Sequence, residues 1–459
     1  MADDCAIIVF AREPIAGQTK TRLASALGDE RAAELSRSFL ADTLNNAGRT
    51  GGAQLFVAWT PSLASAASLK ELCPTAQSFV QEGSDLGERL LVAAAQVQEQ
   101  GYRRIVVIGS DSPSLAPSRI AAAARLLNTA DVVLGPTRDG GCYLIGGLGF
   151  TPELFADVKW SSADVYETLQ HTAKARGLCV ATLPPWYDVD TVNDLCFLQA
   201  HLRARQARNR PLPCPVTQQL VEPLDLPARS PRISVVIPVL NEEDSIGRVL
   251  ADIPPEVTEV VVVDNGSTDQ TVAIAQAGGA RVVCEPERGY GVACLRGLAS
   301  LDYPDIVVFL DGDYSDHPEE LRLLVEPVIA GQADLVIGSR MLGNREKDAL
   351  PPHSLFGNWL SGKLLQLFYG QRTSDLGPFR AIRADALLEL GMADQAFGWT
   401  MEMQAKAARA GLRVSEVPVQ YRKRIGKSKI TGTLKGSFKA GCAIIGMALK
   451  TLLWQPDGG

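Results

Sequence analysis

Three short strand-like runs in the second half of the chain, residues 233–237 (ISVVI), 260–263 (VVVV) and 306–310 (IVVFL), each stop abruptly at a polar loop rich in carboxylates. Runs this short, rich in β-branched residues and separated by helical stretches, describe the buried strands of an open parallel α/β sheet. In such a sheet the loops leaving the carboxyl ends of the strands converge on one ligand crevice. The three loops read Pro238-Val239-Leu240-Asn241-Glu242-Glu243, Asp264-Asn265-Gly266-Ser267-Thr268-Asp269 and Asp311-Gly312-Asp313.

The last loop carries the most chemistry. Two carboxylates with one residue between them, directly after a buried strand, point toward a shared centre where a hard divalent ion takes oxygen ligands. Such an ion neutralises a diphosphate leaving group. A solvated turn is the alternative for an Asp-x-Asp standing alone, and the flanking loops argue against it.

The order PVLNEE, DNGSTD, DGDYSDHPEE and then Gly338-Ser339-Arg340 resembles glycosyltransferase family 2. Residues 373–380 (TSDLGPFR) and 424–429 (RIGKSK) are similar to its branch of polyprenyl-phosphate sugar transferases. The resemblance spans roughly residues 232–429 and implies a metal-dependent, inverting transfer of a sugar from a nucleoside diphosphate sugar. It implies that Pro238, Asn241, Glu242 and Asp264 bind the donor, and that Asp311 and Asp313 hold Mg or Mn at its diphosphate. Breaking the sugar to diphosphate bond sheds negative charge, so Arg424, Lys427 and Lys429 suit stabilisation of the leaving group if their loop folds over the site.

Glu402, at the start of an expected helix, corresponds to a general base in hydroxyl-acceptor members of the family. A phosphate acceptor is already ionised and needs no base, which would leave Glu402 to position a cation or the donor. Asp375 and Arg380 fall where an acceptor phosphate would be met by an arginine, or where the two would pair with each other. The acceptor is expected to be a polyprenyl phosphate. A small-molecule hydroxyl acceptor, and a nucleotide-sugar sensor without turnover, are the alternatives.

The first half runs in parallel. Residues 6–10 (AIIVF) form a starting strand, followed by the loop AREPIAGQTKTRL, with Lys20 and Arg22 placed to meet phosphates. Further strands end in Gly109-Ser110-Asp111-Ser112-Pro113 and Gly135-Pro136-Thr137-Arg138-Asp139-Gly140-Gly141, and Asp188-Val189-Asp190-Thr191 follows. This series resembles a bacterial family of the nucleotide-diphospho-sugar transferase superfamily, similar to molybdenum-cofactor and phospholactate guanylyltransferases and in part labelled for arsenosugar biosynthesis. The resemblance implies a nucleotidyltransferase-like domain in which Asp111 is the lone aspartate after its strand, with Asp188 or Asp190 completing a metal shell. A scaffold that kept the fold and lost the chemistry is the alternative.

The fold class expected is therefore α/β, as two tandem nucleotide-diphospho-sugar transferase (GT-A, Rossmann-like) domains over residues 1–205 and 232–430. Between them, residues 206–231 contain six prolines and read as a semi-extended connector. A basic and apolar amphipathic helix is expected over 431–459. Preceded by Lys423, Arg424, Lys427 and Lys429 and closed by Trp454, it suits either peripheral contact with an anionic membrane surface or packing on its own domain or a second copy of the chain. Residues 355–369 form another apolar, amphipathic stretch that could join it.

The formal net charge of −7 gives no drive toward nucleic acid. Nine scattered cysteines without a Cys-x-x-Cys pair fit a reducing, cytoplasmic setting, at the inner face of the membrane if the tail binds it.

Overall fold

The computed structural model describes residues 4–60, 76–160, 162–227, 230–302, 304–426 and 434–456. The chain separates into two compact units near residue 228. The first unit contains β1 (Cys5–Arg12), β2 (Gln54–Thr60), β3 (Gln77–Val80), β4 (Arg104–Gly109), β5 (Val132–Pro136), β6 (Cys142–Gly147) and β7 (Val180–Thr182). The second contains β8 (Ile233–Val239), β9 (Glu259–Asp264), β10 (Arg281–Cys284), β11 (Ile306–Phe309), β12 (Leu335–Ser339), β13 (Arg380–Arg383) and β14 (Val414–Pro418).

The strand orders are β3-β2-β1-β4-β6-β5-β7 and β10-β9-β8-β11-β13-β12-β14, so the two sheets share one topology. Neither sheet is wholly parallel, contrary to the reading of the apolar runs: β6 is antiparallel to β4 and β5, and β13 to β11 and β12. The cause lies in the connections. After β12 the chain makes one excursion, residues 340–379, over the carboxyl edge and re-enters the sheet from that same edge with Arg380 opposite Ile337. In the first unit residues 137–141 make the same reversal as a short turn.

Strand residues face helices on both sides of each sheet, and Val235, Val236, Ile237, Val262 and Val308 are all fully buried. This is why the sequence shows continuous apolar runs rather than alternation. In both units the first strand is flanked by the second on one side and the fourth on the other, which opens a crevice at the carboxyl ends of β1/β4 and of β8/β11.

The proline-dense stretch is not an extended connector throughout. Residues Pro215–Val221 form a helix with proline at its first position. Its free amides are capped by Asp42, which accepts from Thr217 N at 2.7 Å and Val216 N at 3.2 Å. Gln199 donates to Val221 O at 2.8 Å and to Leu224 O at 3.0 Å, so this strap belongs to the first unit.

The helix Leu434–Lys450 packs on its own unit through Met447 and Ala448, against Leu365, Leu376, Met401 and Ala405. Among the described residues no helix is long and apolar enough to cross a membrane.

Candidate functional site

The end of β8 and the loop after β11 make the floor of the second unit's crevice. A Cβ at Gly312 would lie 2.7 Å from Val239 Cγ1, so only glycine lets the Asp311–Asp313 loop rest on the end of the neighbouring strand. Asp313 is buried; its Oδ1 accepts from Ser315 N at 2.9 Å and Ser315 Oγ at 2.5 Å, while Oδ2 faces the Arg424 guanidinium. Asp311 accepts from Tyr290 Oη at 3.2 Å. Burial, then the charge of Asp313, lift the Asp311 carboxyl to about 7.

A cavity of about 390 Å³ opens above these carboxylates, walled by Pro238, Glu242, Asn265, Arg288, Tyr290, Phe397 and Arg424. Its far side depends on two glycines. A Cβ at Gly289 would sit 2.2 Å from Gln395 O, and one at Gly291 would sit 2.0 Å from Asp394 O. Their absence of side chains lets the helix Tyr290–Ala299 close onto the loop that supplies Ala396 and Phe397, with Gly291 N donating to Ala396 O at 3.1 Å.

Of the residues expected at the site, Pro238, Glu242, Asp311, Asp313 and Arg424 come together around this cavity. Others do not. Asn241, with φ of 54°, accepts from Thr268 N at 2.8 Å and joins two loops outside the cavity wall. The Asp264 carboxylate caps its own turn, accepting from Ser267 N at 3.0 Å and Gly266 N at 3.3 Å, and its neighbour Asn265 reaches the cavity instead. Lys427 and Lys429 lie outside the described residues.

Glu402 does not have a base's freedom. Its carboxylate is buried, accepts from Asp394 N at 2.8 Å and Ala393 N at 3.1 Å, and pairs with Lys406 at 2.7 Å. It organises the loop that carries Ala396 and Phe397. Arg380 is fully buried and donates to the carbonyls of Gly377, Leu376 and Thr400, so it neither pairs with Asp375 nor presents a guanidinium to an acceptor. A strand position in the sheet interior dictates this, because the guanidinium must find carbonyls where water is excluded.

Asp375 is instead held by Arg340 in a two-pronged pair, Nε to Oδ2 at 2.8 Å and Nη2 to Oδ1 at 2.7 Å. Asn358 adds a third bond at 2.8 Å. Arg340, first among the attractions on Asp375, holds that carboxyl below the usual range against the effect of burial. Its charge also favours the ionised form of Asp311, which links residues 340–379 to the carboxylate pair.

A tryptophan, a phenylalanine and a leucine at helical spacing lie exposed on that excursion. The helix Pro352–Tyr369 buries Ser361 and Leu365 and turns Phe356 (62% exposed), Trp359 (58%) and Leu367 (75%) outward, with Lys363 among them. The rings of Phe356 and Trp359 lie 5.7 Å apart.

In the first unit a second cavity of about 390 Å³ opens at the corresponding sheet edge. Lys20 Nζ lies 2.6 Å from both Asp111 Oδ1 and Asp190 Oδ1 and 2.8 Å from Val189 O. Burial works against its charge, but the two carboxylates prevail and raise its pKa. Lys20 takes the left-handed conformation, φ 50° and ψ 44°, at a cost of about 1–2 kcal/mol that the ammonium contacts must offset. Arg22 lines the cavity. Asp188 is not on its wall; burial and the charges of Asp139 and Asp190 lift it to about 7.

The sequence reading passed over Arg288 and Tyr290, and it held Asn265 and Arg340 within its motifs without giving either a role of its own. The string Arg288-Gly289-Tyr290-Gly291, two glycines at the mouth of a helix beside a cation, was the available signal for the first two.

Two families match the chain: "Uncharacterized protein conserved in bacteria (DUF2064)" over residues 43–162 and "Glycosyl transferase family 2" over residues 234–391. The chain is 40% identical over 211 residues to an uncharacterized glycosyltransferase of Mycobacterium tuberculosis, covering 45% of this chain and 94% of that protein. It is 33% identical to the dolichyl-phosphate hexose transferase of Haloferax volcanii, over 48% of this chain and 96% of that protein. It is 31% identical to the undecaprenyl-phosphate mannosyltransferase of Micrococcus luteus, over 45% of this chain and 90% of that protein. Among solved structures, glucosyl-3-phosphoglycerate synthase from M. tuberculosis, in complex with Mn2+, UDP-glucose and phosphoglyceric acid, is 28% identical, covers 50% of this chain and 82% of that one, and has a TM-score of 0.41.

Proposed function

From the premise that this chain, through its second half, belongs to glycosyl transferase family 2, we propose that it moves a sugar from a nucleoside diphosphate to a polyprenyl phosphate with the help of a divalent cation. The enzyme class, glycosyltransferase, follows from the family itself. Donor, metal and acceptor rest on the site.

The residues present suit a cation such as Mg or Mn. Asp311 and Asp313 crowd two carboxylates at one cavity floor; burial first, and then the charge of Asp313, disfavour the ionised Asp311, and a divalent ion would offset both. Among the described residues no third His, Cys, Asp or Glu joins them in a ligating group, which leaves the rest of the shell to diphosphate oxygens and water. When bound, the ion neutralises charge on the departing diphosphate. Arg424, beside Asp313, and Arg288, on the cavity wall, add fixed positive charge to the site. Tyr290 orients Asp311, and Glu402 positions the loop of Ala396 and Phe397 without touching the donor.

The acceptor's phosphate oxygen attacks the anomeric carbon from the face opposite the diphosphate. The carbon–oxygen bond to the diphosphate breaks, its electron pair leaves with the nucleoside diphosphate, and the configuration inverts. No base is needed, because the attacking oxygen is already ionised. The sequestration of Glu402 fits that requirement.

The exposed stripe Phe356, Trp359 and Leu367, with Lys363 among them, carries the lipid assignment. Two aromatics and a leucine beside a lysine form an interfacial surface for an anionic bilayer, on the excursion that borders the carboxylate pair. The relatives named for dolichyl- and undecaprenyl-phosphate support the same acceptor. The test supplies radiolabelled nucleotide sugars and Mn to the full chain with vesicles containing undecaprenyl phosphate. Label moves into the organic phase and stops doing so in Asp313→Asn. Transfer only to water-soluble hydroxyl compounds would assign the alternative acceptor class.

A further inference from the structure

Beyond β14 the chain returns to the loop that carries the carboxylate pair. Residues 421–426 lie between that loop and the 340–379 excursion. On the excursion side Tyr421 N donates to Asn344 O at 2.9 Å and Lys423 N to Glu346 Oε2 at 2.9 Å. On the other side the carbonyls of Asp313, Tyr314, Ser315 and Asp316, successive along the carboxylate loop, all find their donors in this segment. Asp313 O accepts from Ile425 N at 3.0 Å. Arg422 serves the rest: its backbone N donates to Ser315 O at 3.0 Å, Nε to Tyr314 O at 2.8 Å and Nη2 to Asp316 O at 3.0 Å.

The loop turns at Tyr314, which takes the left-handed conformation, φ 63°, disfavoured for any residue with a Cβ. Such a turn persists only where its surroundings fix it. Here the Arg422 guanidinium carbon lies 3.5 Å from the centre of the Tyr314 ring, and Tyr314 Oη donates to Asp252 Oδ2 at 2.7 Å, an oxygen 3.8 Å from Arg422 Nη2. The turn aims Asp313, because Ser315, on its far side, holds Asp313 Oδ1 through both its N and its Oγ. Two residues beyond Arg422, the same segment sets Arg424 against Asp313 Oδ2. Arg422 itself does not line the cavity.

We propose that Arg422 is a positioning residue for the sugar transfer. It fixes the turn that aims Asp313 and, through its own segment, the placement of Arg424, so one side chain sets both the metal carboxylate and the cation at the leaving group. This rests on the metal-assisted reading of the site given above. Arginine suits the task because its planar fork reaches two carbonyls while its face stacks on a ring; a lysine offers a single point donor.

The experiment is calorimetric titration of Mn into the full chain with UDP, and again with GDP, present, taking Asp313→Asn as the blank. Arg422→Met is expected to weaken Mn binding by about 10–100-fold, the usual effect of losing a group that orients a metal ligand. In the vesicle assay at saturating Mn it should lower kcat by a similar factor, while KM for the nucleotide sugar stays within about three-fold. Arg422→Lys should fall between, about three- to ten-fold below wild type in Mn binding. Arg413→Met is the control for a merely structural arginine. Arg413 binds Asp334 at 2.9 Å and Gly331 O just before β12, off the cavity wall, so its loss lowers Tm and leaves Mn affinity in place. If Arg422→Met behaves in the same way, moving Tm alone, the proposal is overturned. Should Arg422→Met not fold, Arg422→Lys carries the comparison, and Mn binding equal to wild type overturns it. A wild-type chain that binds no Mn beyond the blank with either nucleotide overturns the metal reading and this proposal together, a result distinct from wild-type binding that the Arg422 variants leave intact.

Discussion

Replacing Glu402 by Gln separates a catalytic base from a structural carboxylate. In the structure Glu402 is buried, pairs with the equally buried Lys406 at 2.7 Å and accepts from the amides of Ala393 and Asp394. Glutamine keeps one acceptor oxygen but turns an NH2 toward amides that also donate. It also takes the countercharge away from the Lys406 ammonium, which keeps its bond to Gly391 O at 2.7 Å and its place over the Trp454 ring. Breaking a buried ion pair from one side costs about 3–5 kcal/mol. In a unit of this size each kcal/mol lowers the melting temperature by about 2–4 °C, so the transition of the second unit should fall by roughly 6–20 °C. Differential scanning calorimetry reads this directly. The double variant Glu402→Gln/Lys406→Met removes both charges and should recover at least half of the loss, whereas a base would gain nothing from it. An unchanged transition together with abolished turnover in Glu402→Gln would refute the reasoning and restore the base.

Asp311 has a folded-state pKa raised to about 7, above the ordinary carboxylate value, so between those limits the folded state binds more protons than the unfolded one. Stability of the metal-free protein should decline as pH rises through that window, and added Mn should remove the decline; a slope of the opposite sign refutes the assignment. Mn affinity should fall about ten-fold per pH unit below 7 and level off above it, because the ion competes with the proton on Asp311; isothermal titration across pH 5.5–8 checks it. Arg424→Met should lower kcat by about 10²–10³-fold with the fold intact, the usual effect of losing one fixed charge at a leaving group; unchanged kcat would remove Arg424 from the site. Phe356→Ser/Trp359→Ser should weaken association with anionic vesicles by about 10²–10⁴-fold, from about 1.5–3 kcal/mol for each of the two lost aromatic contacts, while sparing hydrolysis of the donor in solution; equal binding in vesicle co-sedimentation refutes the interfacial role of the stripe.

The carboxylate pair and its strand were legible because they are local: a β-branched run that stops at Asp311-Gly312-Asp313 needs no knowledge of other elements. The same holds for Asp111, two residues beyond the end of its strand, and for Lys20, at the far end of the loop that leaves β1. Arg340 with Asp375 could not be read in this way. Arg340 ends one side of the 340–379 excursion and Asp375 lies near the other, so their two-pronged bond exists only once β13 has re-entered the sheet antiparallel. The proline-dense strap misled for a related reason, since its helix is secured by Asp42 and Gln199, far away in the sequence.

Periodicity, strand-end carboxylates and motif order were thus enough to determine an α/β chain of two like domains and the carboxylates at the floor of the second unit's crevice. Tertiary structure alone decided which of the remaining polar residues face the cavity. Glu402, Arg380 and Asp264 all carry suitable groups, yet folding leaves backbone amides and carbonyls that must be satisfied away from water, and those nearest partners claimed them first, while Asn241 ties its own loop to Thr268 N.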